Sequence, residues 1–139
     1  MVAVTDYATT VAAYLTVLKN NKSTLGVAEA NIFEAGSTID FNIPAPFIYL
    51  HSDIGTSKVH NGFVSELVLE FFIGAEGKTS SASAKAAAFV IASKLLKVLL
   101  DNMPVQVPED FIEFFSEFSN KAIIKLTVTD IINVYYQTP

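Results

Sequence analysis

Polar and apolar positions along this chain change period several times, and each change marks an element. Tyr7, Val11, Tyr14, Leu15 and Leu18 recur at helical spacing behind Thr5-Asp6, a capping pair, and Lys19-Asn20-Asn21-Lys22-Ser23 ends that helix. Residues 24–43 carry a weaker pattern. Leu25 to Phe33 fits a short helix or an irregular strand, and Glu34-Ala35-Gly36-Ser37 fits a turn. Ile39, Phe41 and Ile43 then alternate with Asp40 and Asn42 as a short extended piece. Pro44-Ala45-Pro46 turns the backbone away from helix, and Phe47-Ile48-Tyr49-Leu50-His51-Ser52 is strand-like in composition.

Asp53 to Phe63 is polar, contains Gly55 and Gly62, and reads as a loop. In the strand from Ser65 to Ala75, Leu67, Leu69, Phe71 and Ile73 share one face, with Val68, Glu70 and Phe72 on the other. Gly74-Ala75-Glu76-Gly77-Lys78 closes it. Thr79, Ser80 and Ser81 are N-cap candidates for a long helix reaching about Asn102, slender with alanine first and leucine-rich later. Met103 to Pro108 is a stiff connector. Phe111, Phe114, Phe115 and Phe118 fit helical spacing, while Ile112, Phe114 and Phe118 fit one strand face with Glu113 and Glu117 opposite. Strand is the better reading, because Ser119-Asn120 can turn directly into the strand Ala122 to Val128, which Ile131 to Tyr136 either extends or follows as an edge.

The expected order is α-β-β-α-β-β in a single domain over residues 1–139. The expected fold class is α+β: a four-stranded or slightly larger antiparallel sheet with two helices packed on one face.

Composition sharpens the picture. The chain is 51% hydrophobic, with eleven Phe and a mean hydropathy of +0.43, so part of its apolar surface is expected to face other subunits. Fourteen Asp and Glu against nine Lys give a net charge of -5, a poor match for gripping nucleic-acid phosphates. The absence of Cys excludes disulfides, thiolate nucleophiles and Cys-based zinc sites. Neither a signal-peptide pattern at Met1 to Asp6 nor a membrane-length apolar run is expected, the stretch Ala86 to Leu100 being interrupted by Ser93, Lys94 and Lys97.

Three groupings carry candidate chemistry. His51, Asp53 and His60 are the one set resembling a metal or acid-base site, but they lack a fourth ligand and read as polar residues at a strand end. Gly77-Lys78-Thr79 matches the end of a phosphate loop, yet the preceding glycine, Gly74, is one residue too close and Glu76 adds negative charge. Glu113 and Glu117 read as a solvated strand face. The expectation is therefore a non-enzymatic protein with no cofactor and no metal.

The order of elements resembles the tail terminator (tail completion) proteins of tailed bacteriophages. The resemblance rests on the Pro-containing strand Ile43 to Leu50, the long strand Ser65 to Ala75, the Ser-capped Ala-rich helix ending Leu95-Leu96-Lys97-Val98-Leu99-Leu100, and a C-terminal β-hairpin. It implies a ring, commonly a hexamer, in the virion tail, assembled in the host bacterial cytoplasm. Such a ring stops tail-tube polymerisation and joins the tail to the head connector, while DNA passes through the lumen without specific binding. Phe72, Phe115 and Tyr135 become candidates for the subunit interface. Asp53, Ile54, Lys58, His60, Glu76 and Lys78 become candidates for contact with the tube or connector. Two alternatives stay open: another neck or baseplate component, and a small ligand-binding α+β domain.

Overall fold

The computed structural model of the chain describes residues 7–34, 45–59, 62–77, 81–118 and 120–135. Helix α1 (Tyr7–Asn20) is followed after Asn21 by a single turn, α2 (Lys22–Leu25), so Lys22-Ser23 starts a second helical piece where the sequence suggested only an ending. Gly26 stops it in the left-handed region at φ 73°, its N–H donating to the Lys22 carbonyl at 2.8 Å. A 3₁₀ turn at Glu29–Asn31 leads into β1 (Ile32–Glu34). Both readings of Leu25 to Phe33 were therefore partly right. The expected capping pair Thr5-Asp6, most of the expected turn at 34–37, and the extended piece at 39–43 lie outside the described residues.

Strands β2 (Phe47–Val59) and β3 (Gly62–Glu76) form one long antiparallel hairpin, and α3 (Ser81–Asn102) connects it to β4 (Ile112–Phe118) and β5 (Lys121–Tyr135). The sheet has five strands in the order β1-β2-β3-β5-β4. It is mixed, because β1 runs parallel to β2 with Ile32 opposite Ile48, while every other pair is antiparallel. The expected all-antiparallel sheet is corrected on this point. Parallel neighbours leave no local turn signature, so a three-residue strand of this kind is invisible to periodicity.

The expected loop Asp53 to Phe63 is also corrected. Asp53 through Val59 pair residue by residue with Val68 back to Gly62, and β5 continues the pairing as far as Tyr135 opposite Gly62. Polar and glycine residues disfavour strands individually, but continuous pairing along β3 overrides that preference.

Side-chain alternation assigns the two faces. Val11, Tyr14 and Leu18 of α1 and Ala88, Ile91, Leu95 and Leu99 of α3 bury themselves on Ile48, Leu50, Leu67, Leu69, Phe71, Ile73, Leu126 and Val128. Both long helices thus lie on one face, as expected. Each fully buried Leu, Ile or Phe there contributes about 1.5–3 kcal/mol of transfer free energy. On the opposite face Phe47, Tyr49, Phe72 and Ile123 form a smaller cluster, with Phe33 edge-on to Tyr49 at 4.4 Å and Phe47 edge-on to Tyr49 at 5.3 Å. Phe47 lies across Gly74, where a Cβ would overlap its ring. A glycine in mid-strand is explained by that close approach.

Element lengths do not match. β3 and β5 have 15 residues each, about 50 Å at strand rise, whereas the 22 residues of α3 span about 33 Å. The helix layer cannot roof the full length of the sheet. β4 pairs with Lys121 to Leu126, and Gln106 bridges Thr129 through reciprocal bonds of 2.8 and 2.9 Å. From Ile131 to Tyr135, β5 is paired on its β3 side alone among the described residues.

Candidate assembly surface

β4 is an outer strand of the sheet, and its residue pattern is set by one irregularity. Phe114 sits opposite Ile124 but Ser116 sits opposite Ile123, so Phe115 is an extra residue in a β-bulge. The bulge changes which side chain points where. Ile112 and Phe114 face the helix side, and Glu113 faces away. After the extra residue, Glu117 comes round to the helix side and pairs with Lys85 of α3 at 3.4 Å. Glu113 instead pairs with Lys125 at 3.3 Å on the opposite face. The expectation that Glu113 and Glu117 share one face is therefore corrected: strict alternation fails once a residue is inserted.

The bulge also turns Phe115 onto Phe72, edge-on at 4.9 Å. Phe72 is buried and supports Phe115 from beneath, so it offers no free surface as an interface residue. Phe115 remains 40% exposed and Phe114, on the other side of the same strand, 46%. An outer strand with an exposed phenylalanine on each face is a surface of the kind that other chains cover. Tyr135 is the last residue of β5, opposite Gly62, and its side chain lies outside the described residues.

Beside this strand a row of charges crosses the same face as Phe115. His51 Nδ1 lies 3.2 Å from Glu70 Oε1, its cross-strand neighbour; Glu70 Oε2 is 3.2 Å from Lys125 Nζ, which also reaches Glu113. Partial burial alone would lower the Lys125 pKa, but hydrogen bonds and attraction from Glu70 and Glu113 outweigh it and raise the pKa above the ordinary lysine value. The arrangement holds four strands in register through alternating charge. It has the character of a cross-strand ladder.

The three groupings of candidate chemistry separate in space or in role. His51 is engaged with Glu70, Asp53 is exposed two positions along the strand, and His60 lies outside the described residues. No group of three or more potential metal ligands occurs among the described residues. Gly74 is inside β3, while the Gly77 N–H donates to the Asn120 carbonyl at 2.7 Å and Asn120 Nδ2 donates to the Gly77 carbonyl at 3.1 Å. Those bonds commit the Gly77 backbone to the β5 turn. Asp53, Ile54, Lys58 and Glu76, expected in contact loops, are strand residues; Glu76 is exposed, Lys78 lies outside the described residues, and the side chains of Ile54 and Lys58 do too.

One surface was missed from the sequence. Phe89 and Val90 of α3 are 53% and 52% exposed, and the Lys85 ammonium sits 4.4 Å from the centre of the Phe114 ring. The signal was present in the helix itself: Phe89 and Val90 fall between the inward positions Ala88, Ile91 and Leu95. Among the described residues, no helix is long and apolar enough to cross a membrane. Compared with known proteins, the sequence matches no family model and no curated relative.

Proposed function

We propose that this chain is a structural subunit of a bacteriophage tail, of the tail-terminator kind, which closes into a ring at the end of the tail tube. The observation that carries the reading is the outer strand β4, with Phe115 exposed on one face and Phe114 on the other. A ring subunit needs a surface that meets a different surface of its neighbour, and an outer strand bearing exposed aromatics supplies one half of such a head-to-tail contact. The three-stranded extension ending at Val59, Gly62 and Tyr135 supplies an element that reaches beyond the helix layer toward a neighbour or the tube. A net charge of -5 suits a ring through which DNA passes without adhering.

The test is assembly on purified tail tubes. Wild-type protein should cap tube ends as rings visible by electron microscopy and stop further growth of the tube. Phe115→Asp should lose capping while keeping its folded circular-dichroism spectrum. Tubes that grow equally with and without the protein would exclude this reading. A small ligand-binding domain is the second reading, favoured by the groove of ≈ 340 Å³ between α3 and β4. Saturable binding of a small molecule there, in a protein that ignores tubes, would put it first.

A further inference from the structure

The part of the chain from Ala45 to Tyr135 has a helix, a sheet and a shared core of its own. Its strands β2, β3, β5 and β4 pair antiparallel throughout, and Ala88, Ile91, Leu95 and Leu99 of α3 are buried with Leu67, Leu69, Phe71, Leu126 and Val128. Residues 7–34 are added at one margin of it. β1 is an outer strand joined to β2 through three residues, whereas β2 and β3 pair over thirteen. None of the other strand pairs runs through residues 7–34.

The elements of this margin are weak by themselves. Five of the fourteen positions of α1 are β-branched (Thr9, Thr10, Val11, Thr16 and Val17), and such residues lose side-chain freedom in a helix. A helix of this length is marginal alone in water. α2 is a single turn, and the 3₁₀ turn and β1 have three residues each. What holds the margin is what it leans on. Val11, Tyr14, Leu18, Leu25, Val27 and Ile32 are buried, while Thr9, Ala12, Ala13 and Thr16 are exposed. The Lys22–Glu29 ion pair is internal to it, and Asn31 Nδ2 donates to the Pro46 carbonyl at its inner end. The Tyr14 hydroxyl reaches furthest, to Asp130 on β5, three places along the sheet from β1.

We propose that residues 7–34 open as one cooperative unit while the part from Ala45 to Tyr135 stays folded, with the Tyr14–Asp130 bond as the latch. Regions held by short ladders and few buried side chains open ahead of the rest of a fold. In the closed form the buried Asp130 carboxyl takes its hydrogen bond from the tyrosine, and opening hands both groups to water. Opening also bares the outer edge of β2 from Ile48 to Leu50, which β1 pairs with in the closed form. The unit is therefore a guard on that strand edge.

The experiment is native-state hydrogen exchange on the full chain, followed amide by amide in low urea. Amides of α1 should exchange through an opening at least about tenfold more populated than the one that exposes β3 and β5, and with a weaker urea dependence. Two variants separate this unit from global unfolding. Ile124 is buried on β5, between Ile73 of β3 and Phe114 of β4, on the side of the sheet away from β1. Ile124→Ala, or the milder Ile124→Val if the alanine variant does not fold, should lower the protection of β3 and β5 amides and leave α1 unchanged; for the alanine variant the drop is about tenfold or more. Tyr14→Phe removes a contact present only in the closed form, so it should lower the protection of α1, β3 and β5 alike, by about tenfold. The proposal is overturned if α1 shares the protection and urea dependence of β3. It is equally overturned if the Ile124 variants lower α1 as much as β3, or if Tyr14→Phe leaves α1 unchanged. Tubes play no part in these readouts, so the ring reading and this opening stand or fall separately.

Discussion

The Tyr14 hydroxyl donates a hydrogen bond to Oδ2 of Asp130 across 2.6 Å, tying the first helix to the last strand over 116 positions of sequence. Tyr14 is fully buried and Asp130 nearly so. A phenol is well suited to this position: its ring fills the α1 side of the core while its hydroxyl satisfies a carboxyl that burial would otherwise leave costly. The bond fixes α1 above the point where the sheet runs out beyond the helix layer.

Tyr14→Phe keeps the ring and removes the donor. It should cost about 1–3 kcal/mol of unfolding free energy, because Asp130 loses a partner in a place water scarcely reaches. Urea denaturation of the two proteins measures this directly. An unchanged midpoint would show that Asp130 is satisfied without the tyrosine.

Alkaline pH should weaken the fold. Burial first, and the bond to Asp130 second, push the Tyr14 hydroxyl well above the usual tyrosine range. Below about pH 10 the phenol is protonated in both folded and unfolded chains, so it adds no pH dependence. Above that, the unfolded chain releases the proton and the folded one does not, so stability falls as pH rises. The raised pKa of Lys125 acts in the same direction: its contribution is complete below the ordinary lysine value and is lost as pH climbs through the folded one. Unfolding free energies at about pH 8 and about pH 11 should differ more for wild type than for Tyr14→Phe or Lys125→Met.

Gly74→Ala should destabilise the protein by about 1–3 kcal/mol, the range for overpacking a filled site. The added methyl collides with the buried Phe47 ring, which has no free direction to retreat. Combining it with Phe47→Leu should recover much of that loss in a double-mutant comparison. Simple additivity of the two substitutions would show that Phe47 is not the obstacle.

The parts of this fold legible in the sequence are those fixed by local period. Leu67, Leu69, Phe71 and Ile73 face the helices as their spacing requires, and α3 begins at Ser81 and ends at Asn102, close to the expected bounds. What stayed hidden depends on partners distant in sequence. β1 exists because Ile32 to Glu34 lie beside Ile48 to Leu50, and Asp53 to Val59 are a strand because β3 pairs with every one of them. The faces of Glu113 and Glu117 were misjudged because a bulge is a property of the pair, set by the join of β4 to β5. In the candidate surface, Phe115 was foreseeable as an aromatic on an outer strand. Phe72 was not foreseeable as buried, since that follows from Phe47 and Tyr49 on the neighbouring strand and Ile123 on β5.

The ring reading is tested most directly by electron microscopy of tail-tube ends, with and without this protein, read together with tube length. The account predicts a ring at the tube end, arrested growth, and loss of both with Phe115→Asp while the spectrum of the folded protein persists. Bare tube ends and unlimited growth in the presence of folded wild-type protein would contradict it.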